Sequence, residues 1–323
     1  MSKLFNLSFI LLLVVTMAQA QPVPGTDENI PNLMTFGADA ETSWGDAHFC
    51  QIIFFTVPKS QTAPIYIKVF DPDCGGENDE IQGEWDTQTS FSLYGGKGSC
   101  SNEDAKKINL DGDYDEGTLL ASKTFGDDTQ YDMKWYTFGP INPSEGEYIE
   151  EEGGFVFKLI IEGVSGDDGN MYRLFMSDNA QDEKEVEGGY AFYFKYTIRL
   201  HDDPKEMSHI YPYINDSSIV SIKQTNFDWD SDGWIVVRSV ATAGKFMKIS
   251  KDDEWISSLY TIVPEEYNTS LDIQMKKHPS GSIRNNNVII YFENQYGELL
   301  KSYSVPIGGV PKYKGNPEAE EIE

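Results

Sequence analysis

Tyr66-Ile67-Lys68-Val69-Phe70-Asp71-Pro72-Asp73-Cys74-Gly75-Gly76-Glu77-Asn78-Asp79-Glu80-Ile81-Gln82-Gly83-Glu84-Trp85-Asp86 is an apolar-alternating strand that runs straight into a glycine-bent loop crowded with carboxylates. Alternation with period two is the mark of a half-buried strand. The loop carries five side-chain oxygen donors, Asp71, Asp73, Asn78, Asp79 and Glu80, within ten positions. A hard dication takes about six to eight oxygen ligands from flexible loops, and a β-protein builds a calcium site in this way. Carboxylates that converge without a cation repel one another. The competing reading is a solvated turn, because Asp, Asn and Gly all favour turns.

The spacing of Asp71, Asp73 and Asp79 is D-x-D-x5-D. With Val69-Phe70 before it, Asn78-Asp79 within it and Gly83-Glu84 after it, this segment of about twenty residues resembles the third calcium-binding loop of the C2 family. That family is an eight-stranded β-sandwich whose loops gather aspartates around calcium. The resemblance implies Asp71, Asp73 and Asp79 as side-chain ligands. The loop tip, Cys74-Gly75-Gly76-Glu77, has none of the basic or bulky apolar residues with which family members touch phospholipid, so membrane binding is not expected. The remaining ligands must come from elsewhere. Gly166-Asp167-Asp168-Gly169-Asn170 lies between two strong strands and is the best source, with Asp167 and Asp168 as ligands; the alternative is an ordinary Asp-Gly hairpin turn.

Two further acidic clusters are ambiguous. Asn109-Leu110-Asp111-Gly112-Asp113-Tyr114-Asp115-Glu116-Gly117 reads as a cation loop or as a solvated one. Asp228-Trp229-Asp230-Ser231-Asp232-Gly233 matches the opening of an EF-hand loop, in which the glycine makes the sharp turn. Its twelfth position is Ser239, not an acid, and no helical pattern flanks it; an acidic turn between strands is the better reading.

Composition sets the wider frame. Residues 1–20 hold one charge, Lys3, an apolar run at 9–15 and Ala18-Gln19-Ala20, an arrangement expected of a cleaved signal peptide. The mature chain would start at Gln21 and be secreted, periplasmic or held at the cell surface. Loss of Lys3 takes the formal charge from −28 to −29, which repels phosphate backbones and argues against nucleic acid as a partner. Three cysteines in an exported chain allow one disulfide and one spare thiol. Cys74 and Cys100, both in Gly-rich turns, are the expected pair, worth roughly 3 kcal/mol in the chain-entropy account; three buried or free thiols are the alternative.

Strand-like runs recur at 49–57, 65–70, 90–94, 118–125, 134–138, 155–162, 171–177 and 190–201, then at 219–224, 234–240, 246–250, 271–276, 287–293 and 298–305. Gly, Asp, Asn and Pro separate them and helical periodicity is scarce, so the chain reads as all-β. Two β-sandwich modules are expected: 21–203, C2-like or jelly-roll-like, and 214–312, immunoglobulin-like. A polar linker at 204–213 would join them, and an acidic tail at 313–323 would follow.

No catalytic pattern emerges. His48, His201, His209 and His278 are scattered, without H-E-x-x-H spacing, and no G-x-S-x-G elbow occurs. The expectation is a non-enzymatic calcium-binding protein that meets a protein or glycan at the cell surface. The tryptophans and the aromatic run Tyr190-Ala191-Phe192-Tyr193-Phe194-Lys195-Tyr196 leave a carbohydrate-binding accessory protein as the alternative. A glycosidase-like enzyme comes third, because the carboxylate separation that defines it is spatial.

Overall fold

The computed structural model describes residues 22–277 and 286–308. The expected signal peptide, the acidic tail and His278 lie outside the described residues. The first strands are β1 (Pro22–Val23), β2 (Asn32–Phe36), β3 (Cys50–Pro58), β4 (Ile65–Phe70), β5 (Gln88–Gly95), β6 (Thr118–Phe125) and β7 (Trp135–Ile141). Next come β8 (Glu147–Ile149), β9 (Gly154–Ser165), β10 (Gly169–Ser177), β11 (Tyr190–Tyr193), β12 (Lys195–Arg199) and β13 (Ser208–Pro212). The last are β14 (Ser221–Phe227), β15 (Trp234–Arg238), β16 (Lys245–Met247), β17 (Trp255–Thr261), β18 (Asp272–Lys276), β19 (Asn287–Asn294) and β20 (Ser302–Tyr303).

They form two antiparallel sheets, so the fold is all-β. The first runs β17-β14-β19-β12-β2-β10-β4-β7 with β1 beside β10; the second runs β16-β15-β18-β13-β20-β11-β3-β9-β5-β6 with β8 beside β9. Alternation places one face of each strand between the sheets. Ile65, Ile67 and Val69 of β4 and Tyr172, Leu174 and Met176 of β10 meet Ile53, Phe55 and Val57 of β3 and Phe157, Leu159 and Ile161 of β9. The outer face of β3 and β9 is buried too: Ile52, Phe54, Val156 and Ile160 lie under Ala105, Leu110 and Tyr114 of the segment between β5 and β6. Burial on both faces explains why these two strands are predominantly apolar, with few polar residues among them.

The aromatic run at 190–201 is not one strand. β11 pairs with β3 in the second sheet, and after Phe194 the chain crosses to the first sheet, where β12 pairs with β2 and β19. Its two-sided aromaticity follows from the crossing. Phe192 and Phe194 pack in the outer cluster, while Tyr193 and Tyr196 stack face to face at 3.6 Å in the inner core. Both hydroxyls donate to the buried carboxyl of Glu28.

The stretch read as a linker at 204–213 contains β13, which pairs with β18 and β20. Both sheets therefore continue across that boundary. β12 and β19 share five residue pairs, Lys195↔Tyr291 to Arg199↔Asn287, and Val288, Ile290 and Phe292 join the same core as Leu33 and Ile198. Phe292→Ala should cost about 3–5 kcal/mol. Because the core is continuous, differential scanning calorimetry should give one peak, displaced as a whole. Two peaks, of which only one moved, would contradict a shared core.

Candidate cation site

β4 stops at Phe70 because Asp71 turns left-handed, with φ 57°, and Pro72 brings no N–H. The Asp71 amide donates to Lys134 O at 2.9 Å. Its carboxylate accepts from Met133 N–H at 2.8 Å and from Asn78 Nδ2 at 3.0 Å. Asn78 also donates to Met171 O at 3.0 Å. Asp79 accepts from Met171 N–H at 2.6 Å and Gly75 N–H at 2.8 Å. The 71–80 loop is thus stitched to β10 on one side and to the β6–β7 loop on the other. Glu80 continues that stitching: its backbone makes a bridge with Gly169, and its carboxylate pairs with Arg199 and accepts from Asn287 Nδ2.

Asp73 differs from all of these. Eight carboxylates are buried among the described residues: Glu28, Asp46, Asp71, Asp73, Asp168, Asp228, Glu266 and Asp272. Seven accept hydrogen bonds from other residues. Asp73 is 1 % exposed, and neither of its oxygens accepts a hydrogen bond from another residue. Burial pushes its carboxyl up to about 6; its own amide opposes the shift, and the charges of Asp71, Asp132 and Asp128 add to it. Asp79 is pushed up to about 8, again by burial first, against the pull of the Met171 and Gly75 amides and with Asp71 and Asp73 adding repulsion. An unpartnered buried carboxylate among like charges is costly in isolation and is the expected condition of a cation ligand.

The other acids named from the sequence divide by role. Asp168 is fully buried and accepts from the amides of Gln82 at 2.7 Å, Asp86 at 3.0 Å and Thr87 at 3.3 Å. It folds the approach to β5. Oxygens of Asp86, Asp167 and Asp168 lie within 4.8 Å of one another, as do those of Asp228, Asp230 and Asp252, whereas Asp71, Asp73 and Asp79 form no such set. Asp167 is shifted upward by burial and by the charges of Asp86 and Asp168. The 228–233 loop joins β14 to β15, with no helix beside it; the ammonium of buried Lys277 faces its acids and donates to Trp229 O at 3.3 Å. In the 109–117 cluster the buried Lys158 ammonium donates to Tyr114 O at 2.5 Å and Glu116 O at 2.8 Å.

Sequence reasoning missed Asp128 and Asp132. Their only signal was the run Gly126-Asp127-Asp128 and one more acid four residues on, which nothing local ties to Asp73.

The expected Cys74–Cys100 bridge is corrected: Cys50, Cys74 and Cys100 are free, buried thiols. The amide of Cys74 bonds to Gly126 O, beside the Thr89–Phe125 end of the β5–β6 ladder, while Cys100 follows its Gly95–Thr118 end. Six strand steps separate those ends, roughly 20 Å, and a disulfide needs Cα atoms within about 7 Å. Cys100 instead belongs, like Cys50, to the outer cluster.

The three described histidines each have a different neighbour. His48 stacks on Trp255 at 5.7 Å, His209 Nδ1 lies 2.7 Å from Asp272, and His201 Nε2 lies 2.6 Å from Asn29 O. No protein-family model matches the chain, and no curated protein matches it at a significant level.

The difference between structural and unpartnered acids is measurable. Asp168→Ala would strand three amides and should cost about 3 kcal/mol or more, equally with calcium and with chelator, in urea melts. A loss that appears only in calcium would make Asp168 a ligand.

Proposed function

We propose that this chain is an exported, non-enzymatic β-sandwich protein that binds calcium at Asp73 and works in cell-surface or extracellular interaction. The observation that supports the reading is the buried, unpartnered carboxylate of Asp73, set among Asp71, Asp128 and Asp132. A bound dication would turn the mutual repulsion of these groups into shared attraction and hold the 71–80 loop in one shape. Calcium suits the site better than magnesium, because irregular loop oxygens at varied angles satisfy a large, flexible coordination sphere and not a strict octahedron.

Calcium should raise the thermal midpoint, with about 2.7 kcal/mol of added stability at a hundredfold excess over the dissociation constant. Asp73→Asn should abolish that response and, in chelator, melt above the wild type because one repelling charge is gone. A wild-type midpoint indifferent to calcium, with a flat calorimetric titration, would refute the reading.

The pH dependence has a definite sign. In chelator the folded state keeps a proton on Asp79 up to about pH 8, while the unfolded chain releases it near the ordinary value of 3.8. The unfolded state thus binds fewer protons across that window, so stability falls as pH rises through it. Saturating calcium favours the ionised form and should flatten or reverse the slope between pH 5 and pH 8. Melting curves in chelator that rose with pH would contradict the assignment.

A further inference from the structure

We infer that the cation is a latch joining three elements: with Asp73 it takes Asp132 of the β6–β7 loop and the side-chain oxygen of Asn170 on β10, so that occupancy fixes residues 126–134. This rests on the calcium reading of Asp73. Asn170 is fully buried. Its Nδ2 donates to Pro72 O at 2.9 Å, which anchors the amide one residue from Asp73. Its Oδ1 is buried and has no partner. An amide oxygen is a neutral ligand of the kind calcium accepts.

Asp132 Oδ1 is likewise buried without a partner. It reaches this position because residue 76 is glycine: a Cβ there would lie 2.5 Å from that oxygen, and Gly76 holds a φ of 87°. The β6–β7 loop is tied to the acidic loop at both ends, by Cys74 N–H to Gly126 O at 3.0 Å and by the bonds of Asp71 to Met133 and Lys134. Between those ties, Asp128 and Asp132 bring only like charge toward Asp73. The nearby basic groups do not donate to Asp73: Lys134 Nζ donates to Gln130 O at 3.2 Å, and Arg173 lies over the Phe70 ring at 4.3 Å, from where its charge acts on Asp71. Four orphaned oxygens, two of Asp73 and one each of Asp132 and Asn170, come from three elements, and a shared cation would satisfy them.

The test uses the mature chain with calcium alone as probe. Hydrogen–deuterium exchange of peptides covering 126–134 should slow in calcium relative to chelator. Asp132→Asn should weaken calcium binding in isothermal titration by about tenfold or more, since even outer partners of metal ligands matter that much, and should lose the protection of 126–134. The same variant should melt higher than wild type in chelator, which shows that it folds. Asp111→Asn, in the strap between β5 and β6, should change none of these. If wild type binds calcium while Asp132→Asn binds equally well and exchange at 126–134 does not respond, the latch is wrong and the Asp73 reading stands. If wild type shows no binding heat and no shift, both fall.

Discussion

Taking a carboxylate out of water is the constraint to which the rest of this structure answers. Eight carboxylates are nonetheless buried among the described residues of this chain of charge −28, and each buried acid must find donors. It finds them in backbone amides at strand ends and in loops, and in side-chain hydroxyls. Asp46 gathers the amides of Phe36, His48 and Phe49; Glu266 takes the Ser239 and Tyr260 hydroxyls and the Val263 amide. One side chain thereby satisfies several backbone groups that would otherwise be orphaned, so the acids act as organisers of the connections. Asp73 gathers no amide from another residue, and that is what marks it.

At three other places where oxygens crowd, the chain supplies its own ammonium. Lys158 fills the carbonyl nest at Tyr114 and Glu116, Lys277 faces Asp228, Asp230 and Asp232, and Lys195 donates to Cys50 O near Asp46. Burying a lysine has a cost, visible in the lowering of all three; Lys158, desolvated by burial, falls to about 8. The fold bears that cost where it needs a permanent cation. To Asp73 no ammonium donates, although the charge of Arg173 reaches its neighbour Asp71. On the proposed reading a diffusible dication does there what an ammonium does at the other sites, with the difference that occupancy can change.

The sequence disclosed periodic features well and convergent ones poorly. Alternation in β4 and the predominantly apolar character of β3 and β9 were legible because a strand writes its burial locally, two residues at a time. β17, Trp-Ile-Ser-Ser-Leu-Tyr-Thr, escaped notice because it is an edge strand with four of seven residues exposed. β13 escaped behind Pro212 and the charged run before it. The crossing at Phe194 was hidden because an aromatic on each face looks the same in a central strand as in one that changes sheets. Continuity of the sheets across 204–213 rests on pairings such as Lys195↔Tyr291, nearly a hundred residues apart. The acidic loop itself was visible, but not the division of its members: Asp79 and Asp168 bind amides, Glu80 binds Arg199, and only Asp73 is left open. Three-dimensional neighbours decide that, and a run of Asp residues does not.

Asp73, Asp132 and Asn170 come from three distant parts of the chain, so the proposed ligand set exists only after β4, β7 and β10 have paired. The unfolded chain has no such site, and any cation affinity is therefore stability granted to the native state alone. With two carboxylates and one amide oxygen as the firm members of the set, charge on the shell is modest, and affinity follows charge and rigidity. On the proposed reading the expected dissociation constant is weak, about 10⁻⁴ to 10⁻³ M. Such a site is filled only where calcium is abundant. A chain exported into those surroundings would complete its loops after the sheets had formed, with the repulsion at Asp73 holding them open until then.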